Sequence, residues 1–199
     1  MVKQFKSFIR YLLVGPTPLM MGPKTCHNRP LDYKLQQTLN GHDTIITCLA
    51  FDSEFKFLAS SASDGTVYLW DIHSHQLQHQ FEGPTSLVTS IAFSPNGNRL
   101  AAVTKDGHGY VWDVETQSLQ KQFYLENLKL CAVVFSNDGT KLGVDTSDHT
   151  IYIWDIKSET VIETHRDYMA QQKTVVYSND LQMKACCSEN HTINLYSAV

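Results

Sequence analysis

The chain has no extended apolar stretch and few arginines, and none of its motifs announces catalysis. The apolar run near its start, Tyr11 to Val14, is too short for a signal-peptide core and far too short to span a bilayer. No glycine-rich phosphate cradle, His-Glu metal helix or nucleophile elbow occurs, which removes the commonest signatures of nucleotide hydrolases, metalloproteases and serine esterases. The five cysteines, Cys26, Cys48, Cys131, Cys186 and Cys187, are odd in number and irregularly spaced, so a disulfide framework is not expected. They read as buried free thiols in a reducing compartment. None has a Cys or His partner at ligand spacing, and no metal or other cofactor is expected. From about residue 32 onward there is no 3.6-residue periodicity and no helix cap.

Charge is unevenly placed. The formal net charge is −4, but residues 1–31 contain no acid and carry Lys3, Lys6, Arg10, Lys24 and Arg29. The first 31 residues are therefore +5 and the remainder −9. Phosphate backbones are bound by Lys and Arg that displace counterions. Only Arg99 and Arg166 fall in the acidic part, so direct nucleic-acid binding is disfavoured there. Val2, Phe5, Phe8, Ile9 and Leu12 would share one face of a helix that Gly15-Pro16-Thr17-Pro18 would end. Residues 1–31 are thus expected to be a basic tail and linker, disordered or a short amphipathic helix. A membrane-surface helix or a mitochondrial transit peptide is compatible with such a start.

What is present is a fixed step. Trp70, Trp112, Trp154 and Tyr196 are each 42 residues apart. Phe51, Phe93, Phe135 and Tyr177 form a second column in phase, and Leu49, Ile91, Val133 and Val175 a third. Leu58, Leu100 and Leu142 make a fourth, interrupted at Lys184. Such a period denotes an array of one supersecondary unit. Each unit reads as strands: Ile45 to Phe51, Phe57 to Ser60, Thr66 to Asp71 and Leu77 to Phe81 in the first. Ser94-Pro95-Asn96-Gly97 and Ser136-Asn137-Asp138-Gly139 supply the turns, with glycine where φ must be positive.

Gly41-His42, Asp64 and Trp70-Asp71 in the first unit resemble the WD40-repeat β-propeller family, as do Asp106 with Trp112-Asp113 and Asp148 with Trp154-Asp155. The likeness covers roughly residues 32–199. It implies an all-β domain of about four WD40-type β-propeller blades, following the tail at 1–31. It also implies that His42, Asp64, Ser60 and Ser61 lie at or beside structural hydrogen-bond positions and are not a hydrolase triad. The Gly-His pair is replaced by Gly83-Pro84, Leu125-Glu126 and Asp167-Tyr168 in later units. The hydroxyl two residues before the turn Asp is Thr104, Thr146 and Ser188 there, but Ala62 in the first. No blade is therefore expected to carry a complete Asp–His–hydroxyl–Trp chain, and packing should dominate.

In this family each unit gives an outer strand to one blade and three inner strands to the next. Residues 33–39 would then be an outer strand without a blade, three four-stranded blades would follow, and the last would have three strands. Three arrangements answer that count: a fragment or shortened isoform forming an open arc, two chains joined head to tail into one ring, or a strained four-bladed ring. The resemblance implies a non-enzymatic scaffold or adaptor that binds proteins or peptides by one rim. The rim positions are Asp43, Thr44, Ser63, Thr85, Ser86, Lys105, Glu126, Asn127, Ser147, Tyr168, Met169 and Glu189. A shortened, non-functional isoform and a subunit of an RNA-processing or nucleic-acid-associated complex are the alternatives. The expected location is cytoplasmic or nuclear, or mitochondrial if the basic start acts as a leader.

Overall fold

The computed structural model describes residues 35–166 and three further strands at 174–177, 183–187 and 193–197. The chain divides into two compact units, Met1–Asn40 and Gly41–Val199. All the described strands lie in the second.

The first sheet is β1 (Ile46–Phe51), β2 (Phe57–Ala62), β3 (Val67–Asp71) and β4 (Gln76–Phe81). The second is β5 (Val88–Phe93), β6 (Arg99–Thr104), β7 (His108–Asp113) and β8 (Leu119–Tyr124). The third is β9 (Leu130–Phe135), β10 (Lys141–Thr146), β11 (Thr150–Asp155) and β12 (Thr160–Arg166). Each is an antiparallel meander in chain order. A fourth sheet has three strands: β13 (Thr174–Tyr177), β14 (Met183–Cys187) and β15 (Ile193–Ser197). The all-β reading and the strand positions stand. No closed ring is seen.

The 42-residue columns are packing positions. Ala59, Val67, Leu69 and Phe81 of the first sheet bury against Val88, Ile91, Leu100, Ala102, Tyr110 and Trp112 of the second. Ala101, Val103, Val111 and Phe123 of the second repeat the contact against Leu130, Val133, Phe135, Leu142 and Trp154 of the third. The second sheet thus receives the first on one face and offers its other face to the third, as a period-two strand allows. The first strands of neighbouring sheets are linked directly. Cys48 Sγ donates to Thr89 O (3.1 Å), Thr89 Oγ1 to Leu130 O (2.8 Å), and Val133 N–H to Ser90 Oγ (3.2 Å).

Two irregularities recur with the period. The pairing of the third strand with the fourth shifts between Leu69 and Trp70, between Val111 and Trp112, and between Ile153 and Trp154. The pairing of first and second strands slips around Thr47, Thr89 and Cys131, which are the unpaired residues of β-bulges. A bulge re-aims its side chain, and it turns Cys131 out to solvent. The expectation that the thiols are buried fails there; Cys48 is half-buried.

The outer strand expected at 33–39 is not formed over its described part, because residues 35–40 carry no strand. The expectation rested on the family's division of each unit between two blades, which assigns an outer strand without supplying its ladder partner. The basic tail lies outside the described residues.

Candidate functional site

The loops entering β1, β5 and β9 meet the hairpins between second and third strands at one end of each sheet. The joint is the same three times. Ser63 N–H donates to Ile45 O, Lys105 N–H to Leu87 O, and Ser147 N–H to Lys129 O, each at 2.9 Å. Asp43, Thr44, Thr85, Glu126 and Asn127 are exposed on the entering loops, and Ser86 is half-buried. Lys105 and Ser147 are exposed on the hairpins, with Ser63 half-buried. Within each sheet the structure therefore brings the predicted loop and hairpin residues to one end. Tyr168, Met169 and Glu189 lie outside the described residues.

Each hairpin is held by its aspartate. Asp64 Oδ1 accepts from the Thr66 N–H (3.0 Å) and hydroxyl (2.8 Å). Asp106 and Asp148 accept from Thr104 and Thr146. Donation by the Thr66 amide is the main cause holding the exposed Asp64 carboxyl below its ordinary range. Partial burial opposes ionisation at Asp106, but hydrogen bonds from Thr104 and His108 outweigh it and its pKa also falls. His108 Nδ1 lies 3.4 Å from Asp106 Oδ1, at ion-pair distance. Glycine at 65 and 107 is required by positive φ (95° and 97°), and a Cβ there would press on the Pro84 and Leu125 carbonyls. Asp43, Asp64, Asp106, Glu126 and Asp148 outnumber Lys105 and Lys129, so this end is acidic.

The first sheet contains a continuous hydrogen-bond chain, contrary to the expectation that none would. Trp70 Nε1–H donates to Ser60 Oγ (2.8 Å), and Ser60 lies 2.6 Å from His42 Nε2. His42 Nδ1 lies 3.0 Å from Thr66 Oγ1, which donates to Asp64. All the donors are used once if His42 is neutral with its proton on Nδ1, the tautomer assigned from these partners. His42 also stacks on Tyr68, with ring centroids 4.2 Å apart. Burial lowers the His42 pKa despite Asp64 and Asp43 nearby. The hydroxyl in this chain is that of Ser60 and not one at position 62, and its counterparts Ala102 and Val144 cannot serve. In the second sheet the Trp112 indole donates instead to the Glu82 carbonyl (3.0 Å). His42, Ser60, Asp64 and Trp70 are therefore joined as a scaffold tie, with the indole, not a nucleophile's substrate, at its inner end.

Sequence reasoning missed one residue of interest. Gly97 and Gly139 occupy the positive-φ turn position (71° and 68°), but the first sheet has Phe55 there at φ 55°. Phe55 is exposed and its ring lies 6.0 Å from that of Phe51. The break in a glycine column was the available signal.

The family model described as "WD domain, G-beta repeat" matches residues 33–71, 75–113 and 121–155, more than half of the chain. Among curated proteins, the mouse (Mus musculus) "WD repeat and HMG-box DNA-binding protein 1" is similar, at 48% identity over 42 residues. That alignment covers 21% of this chain and 4% of the mouse protein. No helix among the described residues is long and apolar enough to cross a membrane.

Proposed function

The chain belongs to the WD40-repeat family, and on that footing we propose that it is a non-enzymatic scaffold that binds protein partners through the loop-and-hairpin end of its blades. Repeat proteins of this kind build surfaces, and loops held on a rigid frame are where binding concentrates. The observation that carries the reading is the threefold joint from Ser63, Lys105 and Ser147 to the preceding loops. It holds the loops that carry Asp43, Thr44, Thr85, Ser86, Glu126 and Asn127 through backbone groups alone. The acidic balance of this end favours a basic segment on the partner. Tyr168, Met169 and Glu189 would extend the same surface, and a second copy of this chain is among the partners proposed.

A cytoplasmic or nuclear location suits this role. A second reading, membership of a nucleic-acid-associated complex, is favoured by the similarity to the mouse DNA-binding protein. The −9 charge of residues 32–199 makes a protein-mediated link more favourable there than direct contact with phosphates.

Affinity capture with mass spectrometry tests the proposal. The full chain is compared with Asp43→Lys/Glu126→Lys and with Glu115→Lys, which reverses an exposed charge in the turn at the opposite end of the second sheet. Partners should be lost from the double variant and kept by Glu115→Lys. Equal capture by all three proteins would refute the reading.

A further inference from the structure

The first sheet exposes a face that its two successors bury. Leu49 and Phe51 are each 53% exposed, whereas Val133 and Phe135, at the same positions of the third sheet, are 2% and 4% exposed. Leu58 is half-buried, while Leu100 and Leu142 are fully buried. Ile46 and Phe55 extend the apolar surface. These columns receive the preceding sheet twice within this chain, so the open face is the third instance of an interface whose partner chemistry is known.

Phe55 sharpens the argument. In the second and third sheets the Cβ direction at this turn position leads to the preceding sheet's turn. It passes 3.8 Å from Asp52 and Ser53 at Gly97, and 3.9 Å from Ser94 and Pro95 at Gly139. An exposed phenylalanine held at φ 55° is a costly substitute for glycine. Phe55 thereby joins Phe51 in an exposed aromatic pair on this face.

The complementary face stands at the other end of the chain. In the fourth sheet Ala185 pairs with Leu195 and Cys187 with Ile193. The first sheet pairs Ala59 with Leu69 and Ser61 with Val67 in the same register. Ala185, Ile193 and Leu195 thus occupy the positions that Ala59, Val67 and Leu69 use to meet the second sheet. One chain thus carries, at matching register positions, residues for both sides of this interface.

We propose that the exposed face of the first sheet, centred on Leu49, Phe51 and Phe55, receives the fourth sheet of a second copy of this chain. The contact is head to tail, the same two unlike faces meeting each time. It uses sheet faces and not the loop-and-hairpin end, so both surfaces can be occupied together.

Sedimentation equilibrium of the full chain, from micromolar concentration upward, tests this. Reversible self-association is expected. Phe51→Glu should weaken it about 30-fold or more, as loss of a central aromatic anchor does. Leu195→Glu should do the same, with Ala185→Arg as the alternative if that variant does not fold. Mixing the Phe51 and fourth-sheet variants should restore a one-to-one complex, because each retains the half the other has lost. Phe55→Gly should raise the thermal midpoint of the monomer while weakening association about tenfold, which separates a contact role from misfolding. A monomer at every concentration, including one closed on its own fourth sheet, would overturn the proposal. So would association indifferent to Phe51→Glu, or two face variants that do not pair when mixed.

Discussion

Ser60→Ala is the substitution that most directly tests how the first sheet is held. The Ser60 hydroxyl accepts the Trp70 indole N–H and meets His42 Nε2, and both Ser60 and Trp70 are buried. Replacing it leaves the indole donor without its partner, at about 1–3 kcal/mol for an unsatisfied buried group. The lost bond to His42 adds about 1 kcal/mol, because the imidazole is only partly buried and water can replace the serine. The expected total is about 2–4 kcal/mol, read from urea unfolding of the full chain. Ser60→Thr should retain most of it. Trp70→Phe also removes the donor, so Ser60→Ala/Trp70→Phe should cost clearly less than the two changes added together. A loss below about 0.5 kcal/mol for Ser60→Ala, or strict additivity of the pair, would show that the chain of hydroxyl and imidazole does not hold the sheet.

Three further outcomes follow from the geometry. Because burial lowers the His42 pKa on folding, the unfolded chain binds the extra proton first; stability should be full above about pH 6.5 and fall as pH drops below it, and His42→Gln should flatten that slope in pH-dependent melts. Asp138, whose pKa is lowered to about 2 by the Ser136 hydroxyl and then the Thr140 amide and hydroxyl, contributes in the opposite range. Its share is present above about pH 4 and lost toward pH 2, and comparing acid unfolding of the Asp138→Asn variant and the unsubstituted chain measures it. Gly109→Ala should destabilise by about 1–3 kcal/mol by thermal or urea unfolding, because its Cβ would sit 2.0 Å from the Phe123 ring, which packs on Trp154.

The repeat made the blades legible. Columns through Phe51, Leu49 and Leu58 located strands and packing faces because a strand's side-chain period is fixed and the 42-residue step is uninterrupted. The same columns misled where an identity mattered more than a pattern. The Trp70 acceptor was sought beside the turn aspartate, although Ser60 pairs with Tyr68 across β2 and β3 and comes within reach of the indole only in three dimensions. The strand expected at 33–39 needed a ladder partner, which no one-dimensional pattern encodes. The exposure of Cys131 follows from a bulge, and a single unpaired residue leaves no trace in composition. The loop-and-hairpin end was placed by homology of position. Phe55 is not legible from the turn pattern, because its positive φ falls in a unit whose turn lacks the glycine.

The unequal way in which successive sheets are fastened has a mechanical consequence. Thr89 offers its one hydroxyl hydrogen to Val103 O within the second sheet and Leu130 O in the third, so those two sheets share a bond that also secures a hairpin. Thr47, its counterpart, pairs its hydroxyl with that of Ser61 in its own sheet, and the weak thiol donor of Cys48 reaches the neighbour. Under load or warming, the seam ahead of Thr89 should give way before the one behind it, releasing the first sheet as a flap, and hydrogen exchange of β1 faster than that of β5 and β9 would register it.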